Sequence, residues 1–106
     1  MTFEKGTAVI EPSSFIILDE VAASLSEWPL VQIEIQGHTD NQGSALRKME
    51  LSKERAETVR NYLINKGTSA NRLTAVGKSD TSPLADNSTK AGRAVNNRIE
   101  LRRIDP

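Results

Sequence analysis

Two charged residues, Asp40 and Arg55, have the setting of a ligand-binding pair. Arg55 follows Leu51 by four residues and precedes Val59 by four, so in a helix it lies within the apolar stripe. A partly desolvated guanidinium needs an anionic or carbonyl partner, because an unpaired buried charge is costly. Asp40, in the loop before that helix, is the candidate partner. Two interpretations follow: a structural salt bridge between the two residues, or a pair whose two charges bind a ligand.

The loop that carries Asp40 is built for a tight turn. It runs from Gly37 to Gly43, with glycine at both ends and turn-forming Asp and Asn between them. Backbone N–H groups around Thr39, Asn41 and Gly43 can add hydrogen bonds to a ligand, although such turns also arise for conformational reasons alone. We therefore rank these three residues below Asp40 and Arg55.

The elements on either side of this loop are a strand and a long helix. Before it, Val31, Ile33 and Ile35 alternate with polar residues, which is the pattern of a half-buried strand that ends at Gly37. After it, a helix without glycine or proline runs from about Ser44 to Lys66 and ends before Gly67. Its buried stripe is predicted to contain Leu51, Ala56, Val59 and Leu63.

The remaining elements complete an α+β fold, a mixed four-stranded sheet packed against two main helices. Ile99 to Ile104 alternates as an edge or antiparallel strand does, and the polar stretch before it is a loop that ends in a short helix. We expect a truncated N terminus to shorten the first strand. The predicted elements are a strand at Thr7–Ile10, a helix from Ser13 or Ser14 to Trp28-Pro29, a strand at Leu73–Gly77, the loop Lys78–Gly92 and the last strand.

Length, charge and composition exclude several classes of protein. The 106 residues suit one domain, and fourteen basic residues balance fourteen acidic ones, so no strongly basic surface attracts nucleic acid or anionic lipid. The chain lacks cysteine, which removes disulfides and thiol chemistry. Its apolar runs are too short to cross a bilayer, and it begins with no signal segment.

Enzyme and metal interpretations find little support. His38 is the single histidine and is better suited to bracing the loop than to building a zinc site. No Gly-x-Ser-x-Gly, Gly-x-Gly-x-x-Gly or Walker-type motif occurs. We therefore predict a protein that is not an enzyme and needs neither a metal nor another cofactor.

Three separated blocks of sequence resemble the OmpA C-terminal domain family. They are Gly37-His-Thr-Asp-Asn-Gln-Gly43, Leu51-Ser-Lys-Glu-Arg-Ala56, and Gly92-Arg-Ala-Val-Asn96 followed by Arg98-Ile-Glu100. The family includes peptidoglycan-associated lipoproteins and the periplasmic part of MotB-type flagellar stator proteins. The resemblance implies one domain over residues 1–106 with a βαβαββ fold. It also implies non-catalytic peptidoglycan binding in the periplasm of Gram-negative bacteria, which anchors the parent protein or the outer membrane to the cell wall.

The resemblance also implies a ligand, the diaminopimelate of the peptidoglycan stem peptide. The residues that match the family's binding aspartate and arginine are Asp40 and Arg55. Diaminopimelate ends in a free zwitterion, so a carboxylate can bind its ammonium group while a guanidinium binds its carboxylate through two parallel hydrogen bonds. Thr39, Asn41, Gly43 and Asn97 are the secondary site residues.

Two departures from the family pattern bear on affinity. Lys48 stands where the family usually has asparagine, and Asn97 stands where it usually has a second arginine. Losing that arginine removes a donor and a positive charge, which Lys48 can restore from another direction. Affinity and ligand preference are therefore the properties most open to change.

One alternative keeps the fold but changes the function. A structural or assembly domain would retain an Asp40–Arg55 salt bridge and use its surface for a protein partner or for a homodimer, with weak or no peptidoglycan binding. An apolar surface patch of more than about 300 Å² would favour it. In either case we expect no nucleic-acid partner, and a domain outside the membrane whose parent protein carries the membrane anchor.

Overall fold

The computed structural model describes residues 1–104, which contain three α-helices and three strands. Short 3₁₀ turns at Pro12–Ser14 and Ala70–Arg72 precede a helix and a strand respectively. In chain order the main elements are α1 (Phe15–Glu27), β1 (Ile33–His38), α2 (Ala45–Asn65), β2 (Leu73–Gly77), α3 (Lys90–Asn96) and β3 (Arg98–Arg103).

The sheet has β1 at its centre, in the order β2-β1-β3. β1 and β2 are parallel, with Ile33 opposite Leu73 and Gly37 opposite Gly77, and α2 connects them. β3 is antiparallel to β1, as its alternation predicted, and His38 lies opposite Arg98. This last pairing extends β1 one residue past Gly37, so the loop that carries Asp40 begins at Thr39.

The predicted first strand is wrong, and within residues 1–104 the sheet has three strands rather than four. Ile10 makes an isolated antiparallel bridge with Phe3, and the Glu4 N–H donates to the Val9 carbonyl at 2.8 Å. The segment thus folds back on the residues just before it, around Gly6 at φ +72°. The Thr7 N–H and the Val9 carbonyl are used in this local turn, while Ile10 still reaches the core.

The core lies between α1, α2 and one face of the sheet. Ile33 and Ile35 are buried, as the alternation predicted, and the α2 stripe is buried at Ala56, Val59 and Leu63. Leu51, predicted in the same stripe, is only half-buried because it borders a pocket. The full buried cluster consists of Ile10, Leu18, Leu25, Ile33, Ile35, Ala56, Val59, Leu63 and Leu73.

Both ends of α2 are formed by the residues that the sequence indicated. The Ser44 hydroxyl accepts a hydrogen bond from the Arg47 N–H at 3.1 Å, which caps the first turn. At the other end Gly67 adopts φ +108°, and the Thr68 N–H returns to the Leu63 carbonyl at 3.1 Å. This long helix is therefore well delimited, and it carries Arg55 near its middle.

At Gly37 the backbone of β1 approaches α2 directly. A Cβ atom there would lie 1.9 Å from the Ser52 carbonyl oxygen, so no residue other than glycine fits without moving the helix. Gly37 precedes Asp40 by three residues, and Ser52 precedes Arg55 by three. This contact therefore sets how the two candidate ligand-binding residues face each other.

The second face of the sheet carries a ladder of polar side chains that is buried at Gln36 and His38. Gln36, which the alternation predicted to point away from the core, is buried and donates to Glu34 at 2.7 Å. His38 Nε2 lies 3.2 Å from Gln36 Oε1 and 3.4 Å from Glu100 Oε2. Arg98 donates to the same Glu100 at 2.9 Å. These contacts pin the carboxyl end of β1 to β3.

Candidate ligand-binding site

A surface pocket of about 600 Å³ lies beyond the carboxyl end of β1. The loop after β1, the first turns of α2, the helix α3 and the N-terminal turn each contribute to it. Of the six predicted site residues, the pocket brings together Thr39, Asp40, Arg55 and Asn97, whereas Asn41 and Gly43 lie outside it. The complete lining is Lys5, Gly6, Thr39, Asp40, Gln42, Arg47, Lys48, Leu51, Arg55, Lys90, Arg93, Ala94 and Asn97.

Asp40 is held by hydrogen bonds with Gln42, in its own loop, and with Asn97, at the end of α3. Its Oδ1 accepts from the Gln42 N–H at 2.8 Å, which closes a turn of the loop. Its Oδ2 accepts from Asn97 Nδ2 at 2.9 Å, and its backbone N–H donates to Asn97 Oδ1 at 2.9 Å. No cation of residues 1–104 lies within 4 Å of this carboxylate. Asp40 is thus fixed in orientation while its charge is not neutralised by an ion pair.

Arg55 is buried at 8% exposure on the opposite wall. Its Nε donates to the Thr7 carbonyl at 2.8 Å, and its guanidinium lies 5.0 Å from the centre of the Phe3 ring. Burial lowers the pKa of Arg55, and nearby Arg47 acts in the same direction, whereas Asp40 opposes them. The guanidinium remains charged, because arginine side chains keep their proton in proteins.

Asp40 and Arg55 form no salt bridge, which corrects the structural interpretation of this pair. The anionic or carbonyl partner that Arg55 needs is the carbonyl of Thr7, a residue of the turn that replaces the predicted first strand. That hydrogen bond comes from Nε, and the two terminal nitrogens of the guanidinium make none within residues 1–104. The carboxylate and the guanidinium therefore line one pocket without cancelling each other.

The lesser site residues mostly shape the loop. Thr39 is buried, its N–H donates to the Ser79 carbonyl at 2.8 Å, and its hydroxyl donates to the Asp40 carbonyl at 2.9 Å. Asn41 is exposed and accepts from the Gln42 side chain at 3.0 Å. Gly43 adopts φ +95°, the left-handed conformation that glycine allows. Thr39 anchors the loop, and Gly43 lets it turn into α2.

The two departures at Lys48 and Asn97 have different structural consequences. Lys48 Nζ lies 2.9 Å from Asp80 Oδ2, and this hydrogen bond lowers the pKa of Asp80. Lys48 thus borders the pocket with its ammonium group already paired with the Asp80 carboxylate. Asn97, in the position of the family's arginine, instead makes the two hydrogen bonds that orient Asp40.

Several cationic residues of the pocket escaped prediction. Lys5 comes from the N-terminal turn, Arg47 from the first turn of α2, and Lys90 and Arg93 from α3. The spacing of three between Lys90 and Arg93, just before Asn97, is the one local signal that places two of them on the same helix face. The others depend on how distant segments pack.

His38 lies outside the pocket, although it is two residues from Asp40. It is 3% exposed, and its Nδ1 has no hydrogen-bond partner within the described residues. Burial lowers the pKa of His38, Arg98 and Lys78 lower it further, and Glu100 opposes them. This histidine braces β1 against β3. No group of three or more potential metal ligands occurs in residues 1–104, nor does any helix there suit a bilayer span.

The fold and the pocket define a small α+β domain whose polar pocket, lined by opposite charges, lies at the end of its central strand. A family model described as the OmpA family matches residues 2–98. The chain therefore belongs to the OmpA family, which confirms the resemblance of its three sequence blocks.

Individual relatives agree with this assignment. Outer membrane porin F of Pseudomonas fluorescens is 38% identical over 98 residues, covering 92% of this chain and 30% of that protein. Peptidoglycan-binding protein ArfA of Mycobacterium bovis is 36% identical over 101 residues, covering 95% of this chain and 31% of that protein. The chain thus spans about a third of the length of these two relatives.

A solved structure shows the same architecture. The peptidoglycan-associated lipoprotein from Burkholderia pseudomallei superimposes with a TM-score of 0.88 at 28% identity, covering 98% of this chain and 86% of that one. The mixed α+β fold therefore extends over nearly the whole chain.

Proposed function

We propose that this domain binds peptidoglycan non-covalently by holding the free zwitterion of diaminopimelate between Asp40 and Arg55. The observation that carries the proposal is that these two opposite charges line one pocket and form no salt bridge with each other. A ligand with an ammonium group beside a carboxylate can satisfy both. The similarity to the peptidoglycan-binding protein ArfA supports the same ligand class.

Each residue has a defined part in this binding. The Asp40 carboxylate, oriented by Asn97, accepts hydrogen bonds from the ligand ammonium group. Arg55 uses Nε for Thr7, which leaves its terminal nitrogens for the ligand carboxylate. A planar guanidinium donates two parallel hydrogen bonds to a carboxylate, and a lysine ammonium cannot reproduce that geometry.

The role is binding rather than catalysis. Of the described residues that line the pocket, Thr39 carries the sole hydroxyl, and that hydroxyl donates to a backbone carbonyl. We propose that the domain works in the periplasm and ties a membrane-anchored parent protein to the cell wall. Because the binding is non-covalent, the peptidoglycan ligand leaves the pocket by simple dissociation.

The test is co-sedimentation with purified sacculi that contain diaminopimelate. We expect the wild-type domain to pellet, and Asp40→Asn and Arg55→Lys to remain mostly in the supernatant. Matched controls are Asp19→Asn on α1 and Arg60→Lys on α2, which make the same chemical changes outside the pocket. If the folded wild-type domain stays in the supernatant, the proposal fails and the assembly-domain alternative is favoured.

A soluble ligand pair tests the zwitterion itself. The tripeptide L-Ala-γ-D-Glu-diaminopimelate carries an ammonium group and a carboxylate at its side-chain end, whereas the same peptide with L-lysine carries the ammonium group alone. We expect binding to weaken at least about tenfold with the lysine peptide, since the Arg55 fork loses its partner. Equal binding of the two peptides would contradict the role of Arg55.

A further inference from the structure

The charge of the pocket exceeds what one zwitterion needs. Six cationic side chains and one carboxylate line it, although the whole chain has equal numbers of acidic and basic residues. Lys48 is paired with Asp80, and Arg47 lies 3.8 Å from Glu54. Arg55 and Asp40 take the zwitterion. Three cations remain: Lys5, Lys90 and Arg93, here called the cationic rim.

The cationic rim has little to neutralise it inside the protein. No carboxylate of residues 1–104 lies within 4 Å of Lys5, Lys90 or Arg93. Arg93 uses one terminal nitrogen for the Asn87 carbonyl at 3.0 Å, which holds its side chain in place and leaves other donors. Like charges that face one pocket repel each other, so an anion placed between them is favoured.

The size of the pocket fits a ligand longer than one amino-acid side chain. Its volume of about 600 Å³ lies within the range of sites that enclose drug-sized molecules. In a stem peptide, diaminopimelate follows a D-glutamate that is linked through its γ-carboxylate. The α-carboxylate of that glutamate is therefore a free anion one residue from the zwitterion, unless it is amidated.

We propose that the cationic rim binds this second carboxylate, so that the domain prefers stem peptides with a free D-glutamate α-carboxylate over amidated ones. This inference rests on the proposed function, because Asp40 and Arg55 must first place the neighbouring residue. The charged pair reads diaminopimelate, and the rim reads the residue beside it. The two parts of the pocket thus recognise different features of one ligand.

The experiment is calorimetric titration of the domain with three soluble tripeptides. They are the free acid with diaminopimelate, the same peptide with D-isoglutamine, and the free acid with lysine. We expect the free acid to bind about fivefold more tightly than the isoglutamine peptide, as for a partly exposed ion pair. This difference should shrink at high salt, because screening weakens exposed charge pairs.

A double variant, Lys90→Gln with Arg93→Gln, should abolish the preference for the free acid but keep the preference for diaminopimelate over lysine. The matched control removes two positive charges outside the pocket, by Lys53→Gln with Arg102→Gln. Lys5→Gln on the N-terminal turn tests the rim without touching α3, and circular dichroism verifies the fold of each variant.

The outcomes separate the two proposals. Equal binding of the free acid and the isoglutamine peptide to the wild type overturns the rim proposal and leaves diaminopimelate recognition intact. A preference that persists in the Lys90/Arg93 variant also overturns it. If none of the three peptides binds, the proposed function fails and the rim proposal fails with it.

Discussion

Each end of the parallel pair β1 and β2 holds an arginine, Arg72 half-buried and Arg55 buried, and the two side chains make different hydrogen bonds. At the amino end, Arg72 donates from Nε to the Val31 carbonyl at 3.0 Å and from Nη2 to the carbonyls of Leu25 and Trp28 at 2.9 and 2.7 Å. At the carboxyl end, Arg55 donates once, to Thr7.

This difference fits a structural role for Arg72 and the ligand-binding role that we propose for Arg55. Arg72 closes the end of α1 onto the segment before β1 by donating to three carbonyls, of which that of Trp28 also accepts the Val31 N–H at 3.1 Å. Arg55 is buried and makes a single hydrogen bond, so little within the protein offsets the cost of removing its charge from water. Arg55 leaves its two terminal nitrogens without a hydrogen bond to the described residues, as the proposed binding role requires.

The largest effect on stability is expected at the amino end. Arg72→Met keeps an apolar stem of similar length but removes three hydrogen bonds, so we expect the free energy of unfolding to fall by about 3 kcal/mol. Arg55→Met removes one hydrogen bond and an expensive buried charge, and should stay within about 1 kcal/mol of the wild type. Urea unfolding of both variants measures the contrast.

Binding should rank these two variants in the opposite order. Folded Arg72→Met should still pellet with sacculi, whereas Arg55→Met should not. If Arg55→Met destabilises the domain as much as Arg72→Met does, the comparison breaks down and Arg55 is a structural residue.

A smaller effect is expected from the residue that orients Asp40. Asn97→Ala removes two hydrogen bonds to Asp40 and leaves its charge unchanged. We expect affinity for the diaminopimelate tripeptide to fall about tenfold and the free energy of unfolding to fall by about 1 kcal/mol. Asn61→Ala, on α2 and outside the pocket, is the control. An unchanged affinity would show that the loop backbone alone orients Asp40.

The smallest effect concerns pH and the polar ladder below the pocket. The pKa of His38 in the folded protein is lowered from 6.5, mainly by burial. Arg98 and Lys78 lower this pKa further, and Glu100 raises it. As the pH falls below 6.5, His38 therefore binds protons more readily in the unfolded state than in the folded state. The free energy of unfolding decreases as a result. Urea unfolding at about pH 7 and about pH 5.5 should show this loss. His38→Asn should lack it, and equal losses in both proteins would exclude His38 as the cause.

Prediction from the sequence succeeded where the information was local. The bounds of β2 match the prediction, α2 differs by one residue at each end, and α1 begins just after Ser14 and ends just before Trp28. The signals are local: helix periodicity in α1 and α2, the Ser44 cap and Gly67 at the ends of α2, and Gly77 at the end of β2. Ser14 makes no capping hydrogen bond with its side chain. The short α3 was foreseen only as a helix at the end of a loop, because its seven residues include Gly92, which weakens the helical pattern.

Prediction failed where distant segments decide the outcome. Thr7–Ile10 has the composition of a strand, but its pairing with the preceding residues could not be read from its own pattern. The candidate site was predicted at Asp40 and Arg55, since a loop and the helix that follows it are close in sequence. Lys5 reaches the pocket only through the N-terminal turn, and no local signal encodes that approach. The spacing of Lys90 and Arg93 places both on one face of α3, but it does not indicate that this face lines the pocket.

The contact between Gly37 and Ser52 has a consequence for how the pocket can vary. The backbones of β1 and α2 are in direct contact there, so the distance between the backbones that carry Asp40 and Arg55 does not depend on side chains elsewhere. Binding of the proposed ligand would therefore cost little conformational entropy in the protein, because the backbone around the site is already ordered. If the proposed function holds, sequence changes at the edges of the pocket would alter ligand preference and leave the Asp40–Arg55 pair in place.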